Sequence, residues 1–167
     1  MKKSLVVALI HVLIVLSLGG KLLYDRATRP RVWIKVASYD PSLPIRGRYL
    51  ALSVPVRAAW LKDSKNPSAA FYRYNWVTLT GENHELVAAR SDVDTGVTIQ
   101  YWATSGDHVN LSEPVLFFLP EHARDPSWLK SHEELWAEVT LPRKGPPRPI
   151  QLAVKNAQGE WQPVELR

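Results

Sequence analysis

The sequence predicts a mainly β domain, sandwich- or barrel-like and antiparallel with one short helix, behind a single N-terminal transmembrane helix. Three observations predict it. Residues 5–18 are apolar except for His11 and Ser17, behind a basic start of Lys2 and Lys3. After residue 30, segments with apolar residues at every second position recur along the chain. Proline, glycine, asparagine and aspartate separate those segments at short intervals, as turns between strands require.

Ser4 to Leu18 would make a helix of about 22 Å, and continuing through Leu23 brings it to about 30 Å, the thickness of a bilayer core. Lys21 would then extend its charge outward along its apolar stem. The end Ser17-Leu18-Gly19-Gly20 holds small residues but no A-x-A cleavage site, so an uncleaved signal-anchor is favoured over a signal peptide. Residues 1–24 are thus the anchor, 25–30 a basic connector, and 31–167 the soluble domain. Lys2 and Lys3 argue for a cytoplasmic N-terminus. Lys21, Arg26, Arg29 and Arg31 argue the reverse by count. The layout of an export signal decides for a domain on the extracytoplasmic side of the cell membrane, periplasmic in a cell with two membranes.

The net charge of +5 resolves by position. Residues 1–30 carry five basic groups against Asp25, and residues 31–167 carry the other 16 against 15 acidic groups. The domain is nearly neutral, without the Lys/Arg stripe that phosphate backbones demand, so nucleic acid is not an expected partner. The basic excess flanks the membrane, where lipid headgroups are anionic. The chain has no cysteine, hence no disulfide and no thiolate metal site.

In order, Val32, Ile34 and Val36 alternate with Trp33 and Lys35 as a first strand. Asp40-Pro41 and Leu43-Pro44 turn the chain. Gly47 precedes a second strand in which Leu50, Leu52, Val54 and Val56 share one face, ending or lying at an edge at Pro55. Residues 58–70 read as a loop with a short helical turn. Phe71 to Leu79 and Glu85 to Arg90 form a hairpin about Gly81-Glu82-Asn83. Val97, Ile99 and Tyr101 mark another strand, and Ser105-Gly106-Asp107 a turn. The continuous run Val115 to Leu119 suits a strand buried on both faces. Asp125-Pro126 reads as an N-cap and first residue of a short helix through Glu133. Trp136 to Leu141 is a strand and Pro142 to Pro149 a loop. Ile150, Leu152 and Val154 alternate, and Trp161 to Leu166 returns as a closing hairpin about Asn156 to Gly159.

The order of Asp40, Pro41, Gly47, Tyr49 and Leu52 resembles the GDYXXLXY family of membrane-anchored proteins. Gly47, Tyr49 and Leu52 match the motif that names it, and Asp40-Pro41 the D-P before it. Arg48 stands where the family has aspartate, and Val54 where it has the second tyrosine. Phe117-Phe118-Leu119-Pro120-Glu121 is similar to a later Y-F-V-P-E-G segment, with His122 in place of its glycine. Tyr72 to Leu79 is similar to the family's middle strand. The resemblance spans most of the chain after the anchor. It implies a membrane-tethered domain associated with multi-pass membrane proteins, and it implies no catalytic residue.

No chemical constellation stands out. His84, His108, His122 and His132 have no metal-binding spacing, so neither a metal nor a cofactor is expected. Glu121-His122 would meet His132-Glu133 only if the helix folded back. There is no G-x-S-x-G. Ser42 reads as a turn residue, because Lys62 and Lys65 lie in a polar loop where no lysine would be desolvated into a base. All seven tryptophans lie beyond residue 30 and either fill the core or build a stacking platform, the core being the commoner use. Tyr49 lies on the face opposite Leu52, where its hydroxyl could cap a sheet corner. The expectation is an interaction or assembly module for a membrane partner rather than an enzyme. The alternative is a ligand-binding or hydrolytic corner at Glu121-His122.

Overall fold

The computed structural model describes residues 2–39, 48–62, 76–100, 106–120, 126 and 129–165. The chain divides into two compact units, residues 1–30 and 31–167.

The first unit is one helix, α1 (Lys2–Thr28), of which Leu5–Thr28 has a mean hydropathy of 2.3 and is long and apolar enough to cross a membrane. It runs about 40 Å at 1.5 Å per residue, further than the apolar stretch predicts, and takes in most of the basic connector. Asp25 and Arg29, one turn apart, pair at 3.2 Å, and the Thr28 hydroxyl donates to the Tyr24 carbonyl. Proline at position 30 then stops the helix. Within the apolar span, the His11 Nδ1–H donates to the Val7 carbonyl at 2.8 Å, so the imidazole meets one of its own demands inside the helix.

The second unit is mainly β, with two sheets. The larger has six antiparallel strands: β1 (Arg31–Tyr39), β2 (Arg48–Ser53), β8 (Val115–Leu119), β9 (Glu134–Thr140), β10 (Arg148–Lys155) and β11 (Trp161–Pro163). Their order is β11-β10-β9-β1-β2-β8. The smaller holds β3 (Pro55–Arg57), β4 (Trp76–Glu82), β5 (Glu85–Ser91), β6 (Ile99–Gln100) and β7 (His108–Leu111) in the order β4-β5-β3-β7-β6, with one parallel pair, β3 and β5. A four-residue helix, α2 (Ala59–Lys62), follows β3. The alternating apolar positions of both sheets meet in one core, with Ile34, Leu52, Leu86, Ala137 and Val139 all at 1% exposure or less.

Leu50 and Leu52 face that core as their alternation predicts, and Val54 and Val56 follow them into the second sheet. The chain changes sheets at Pro55. Proline has no N–H for a ladder, so it ends one strand and opens the next without breaking a hydrogen bond. The Val54 carbonyl between them accepts the Leu111 N–H at 3.0 Å.

The β4–β5 hairpin forms, but it turns at Asn83-His84. Both residues have positive φ, 46° and 63°, as a two-residue primed turn needs. Gly81 belongs to strand β4 instead: a Cβ there would meet the Val32 side chain at 3.0 Å. At the other hairpin, the Asn156 side-chain oxygen accepts the N–H groups of Gln158 and Glu160, and Gly159 takes a φ of 83°.

Two expectations fail. Among the described residues the short helix of the domain is α2, and residues 129–133 of the expected helix are not helical. Of that stretch the described residues form turns and extended chain, with His132 at a φ of 72°, which no α-helix continues through. And β8 is not buried on both faces. It is the outermost strand of its sheet, with Val115, Phe117 and Leu119 buried and Leu116 and Phe118 exposed.

A candidate docking edge

Cross-strand register assembles the most distinctive surface of the domain. Tyr49 on β2 stands opposite Phe118 on β8, and Ala51 opposite Leu116. Their side chains point away from the core, because Leu50 and Leu52 opposite Phe117 and Val115 take the inner face. The Tyr49 and Phe118 rings meet edge-on with centroids 5.5 Å apart. Tyr49, Leu116 and Phe118 are 46%, 50% and 56% exposed. Ala51 among them is buried.

The backbone adds a second feature. Among the described residues no strand is hydrogen-bonded to the far side of β8, although β10 comes close to β8 as the sheet curls. Proteins usually guard such an edge with charge, a bulge or proline. The five residues V-L-F-F-L carry no charge, and only Pro114 and Pro120, at either end, limit the strand.

The same sheet carries a second aromatic group at its other edge. Trp33, Trp136 and Trp161 lie on the outer face of β1, β9 and β11, with Trp161 5.2 Å from Trp33 and 5.0 Å from Trp136. These three tryptophans are therefore not in the core between the sheets. The Lys155 ammonium sits over the Trp136 and Trp161 rings at 5.6 and 5.8 Å. Glu134 accepts the Trp136 indole N–H at 3.2 Å and pairs with Lys35 at 2.7 Å. The hydrogen bond from Lys35 holds the Glu134 carboxyl below the usual carboxylate range; partial burial opposes this, and the Trp136 N–H adds to it. His84 caps the group, its ring edge-on to Trp136. Trp136 is held on both its ring and its N–H by neighbours in the chain, and the ring contacts of Trp161 help hold the short β11 strand onto the sheet.

Beside it opens a polar groove of about 690 Å³, lined by Lys35, His132, Glu133, Glu134, Lys155 and the 156–159 turn. Glu133 accepts the Lys130 N–H, and Asn156 is engaged by its own turn. A smaller pocket of about 160 Å³ lies against β1, β3 and β5 and includes Arg57, His84, Glu85 and His108. Arg57 there faces two carboxylates, Glu82 at 3.6 Å and Glu85 at 3.4 Å, which leaves no surplus positive charge for an anion. Among the described residues, no three His, Asp or Glu side chains gather to hold a metal ion.

Of the residues singled out in the sequence, Tyr49, Leu52 and Pro120 fall on the β2–β8 pair: Leu52 is in the core, Tyr49 on the outer face, and Pro120 follows the end of β8. Asp40, Pro41, Gly47, Glu121 and His122 lie outside the described residues. Tyr49 packs on Phe118, and no hydrogen bond from its hydroxyl to another described residue accompanies that contact. Phe118 and Leu116 escaped sequence reasoning as surface residues, since an unbroken apolar run hides its own alternation.

No family model, curated protein or solved structure matches this chain.

Proposed function

We propose that the chain is a membrane-tethered docking module, in which α1 anchors the protein and a protein partner in the same membrane packs on the exposed apolar patch of Tyr49, Leu116 and Phe118. The observation that carries this is the uncharged outer face of the β2–β8 pair, where Tyr49, Leu116 and Phe118 stand half exposed. Half-exposed aromatic and aliphatic side chains gathered on one surface are the anchors that protein interfaces use. The length and hydropathy of α1 support the tether. The basic start at Lys2 and Lys3 supports an N-terminus in the cytoplasm and a domain on the other side of the cell membrane. The resemblance to the GDYXXLXY family, carried by Gly47, Tyr49 and Leu52, agrees with a membrane partner.

Incorporation of a photo-reactive phenylalanine at position 118 of the full chain, in native membranes, tests the docking role. An adduct of one defined mass is expected, abolished by Leu116→Lys and not formed from the exposed Val93. Absence of any adduct from position 118 in folded, membrane-inserted protein would overturn it. Alkylation of the Val93→Cys chain from outside intact cells tests the side of the membrane. Labelling is expected, and protection until the membrane is broken would reverse the orientation.

A further inference from the structure

Resting on the membrane-spanning role proposed for α1, we infer that the partner lays a transmembrane helix beside His11 and donates a side-chain hydrogen bond to the His11 Nε2. The partner is then a different protein, with a hydroxyl, amide or indole N–H inside the bilayer.

His11 is exposed on α1, and the apolar stretch 5–18 holds one other polar residue, Ser17. The stretch opens at Leu5, so His11 lies about 9 Å inside it. Lys21 can carry its charge outward along four methylenes, but an imidazole on a single methylene cannot reach water from that depth. The ring is tied back as well, its Nδ1 lying 2.8 Å from the Val7 carbonyl oxygen. A carbonyl only accepts, so Nδ1 carries the proton. In the neutral ring, the form that hydrocarbon tolerates, Nε2 is then a bare acceptor. Among the described residues it has no partner. Water would satisfy it outside a membrane. Inside one, an unmatched acceptor is costly, and the donor has to come from another chain.

A second copy of this chain does not supply that donor. Copies inserted alike are parallel, and across a twofold axis their histidines meet at one depth. Each has its proton held by Val7, so two lone pairs face one another with no hydrogen between them. Ser17 lies about 9 Å further along the helix and about 120° around it, at neither the depth nor the face of His11. A foreign helix meets the need, and the surface around His11 suits one. Ile14, Val15, Leu18 and Leu22 follow it on the same face and are exposed and apolar. The far face, with Leu9, Leu13 and Leu16, is apolar too and satisfied by lipid. Packing between helices gains little over packing against lipid, so the hydrogen bond decides which face is used, and it changes association roughly three- to thirty-fold. Docking of the same partner at Tyr49, Leu116 and Phe118 makes the helix contact an intramolecular one, in which a bond of that size suffices.

A photo-reactive phenylalanine at position 15 of the full chain, in native membranes, reads the contact beside His11, and one at position 13 reads the far face. From position 15 a protein adduct is expected, equal in mass to that from position 118. From position 13 only lipid is expected. His11→Phe keeps a ring and removes the acceptor, and should lower the position-15 adduct roughly three- to thirty-fold. His11→Gln returns an acceptor oxygen at similar reach and should restore most of it. The cross-linked peptide should come from a transmembrane segment with a serine, threonine, asparagine, glutamine, tyrosine or tryptophan within one turn of the attachment point. An adduct unchanged by His11→Phe, a glutamine chain no better than the phenylalanine chain, or an equal adduct from position 13 would overturn the inference. So would a peptide from α1 of this chain, or from a segment without such a side chain. Lipid labelled from position 13 is the sign that α1 spans; without it the proposed anchor fails and the inference with it. An adduct from position 118 with no matching adduct from position 15 refutes the helix contact and leaves the docking role standing. A protein adduct from position 15 alone refutes docking at the patch and leaves the helix contact, and none from either position refutes both.

Discussion

At one edge of the six-stranded sheet, Trp161 of β11 packs against Trp33 and Trp136, a lysine lies over two of the rings and a carboxylate accepts one indole N–H. At the other, β8 is the outermost strand, with Leu116 and Phe118 half exposed on its outer face. Both edges carry aromatic residues on the same face of the same sheet. The difference lies in what surrounds the rings. Lys35, Lys155, Glu134 and His84 surround the first group, although Trp161 stays 41% exposed, whereas beside Phe118 the described side chains are Tyr49 and Leu116, themselves half exposed. An aromatic residue on a sheet surface is thus a structural element where the chain supplies its cover, and a contact surface where it does not.

The comparison can be broken most forcefully at β8 itself. Phe117→Ala removes a buried ring from the core and is expected to cost about 3–5 kcal/mol. Phe118→Ala, one residue on and facing outward, is expected to cost less than about 1 kcal/mol. Chemical denaturation of the full chain in detergent, followed by tryptophan fluorescence, measures both. All seven tryptophans lie beyond residue 30, so the signal reports the β domain and not α1. Comparable losses from the two substitutions would mean that Phe118 is part of the core and β8 is no docking edge.

At the opposite edge the outer-face residue should matter. Trp136→Ala takes away the ring that packs on Trp161, lies under Lys155 and donates to Glu134. A loss of about 2 kcal/mol is expected, less than for a core aromatic because Trp136 is only half buried. Denaturation midpoints compared with those of Phe118→Ala decide the point. A Trp136 variant as stable as the Phe118 variant would leave the two edges equivalent.

The alternating segments were legible in the sequence because period two forces one residue in two toward the core. Ile34, Leu50, Leu52 and Leu152 are buried as that pattern demands. The run from Val115 to Leu119 was not, because a strand with two apolar faces has the same composition whether both are covered or one is left for a partner. Gly81 looked like a turn residue, yet it is a strand residue made small by the close approach of Val32, a contact between segments some fifty residues apart. Local pattern holds no trace of such a contact. The Asp125-Pro126 pair promised a helix, but His132 at positive φ gives the chain a turn before β9. The tryptophans could be counted but not placed: only the register of β1, β9, β10 and β11 brings Trp33, Trp136 and Trp161 together on the outer face.

The covered edge also depends on its hairpin. Asn156 holds the turn between β10 and β11 with two main-chain hydrogen bonds to its side-chain oxygen and one from its amide to Glu160. Asn156→Ala is expected to cost about 1 kcal/mol and to loosen β11 ahead of the remaining strands. Amide exchange at the N–H groups of Gln158 and Glu160 should then quicken more than exchange in β2. Uniform quickening would show instead that the hairpin opens only with the whole domain.

The smallest effect sharpens the comparison through pH. Lys35 holds the Glu134 carboxyl below its ordinary value of 4.5 in the folded chain. A carboxyl that binds its proton less readily when folded stabilises the fold above its unfolded pKa, and that contribution disappears as the pH falls through the folded pKa. Both partners are substantially exposed, so the pair is worth roughly 0.2–0.5 kcal/mol and is weakened by salt. Between pH 6 and pH 3, stability should therefore decline slightly more in the natural chain than in Lys35→Met, where the depressing hydrogen bond is gone. Parallel pH profiles for the two chains would mean that Lys35 and Glu134 do not act as a pair, and that the tryptophans hold the covered edge by packing alone.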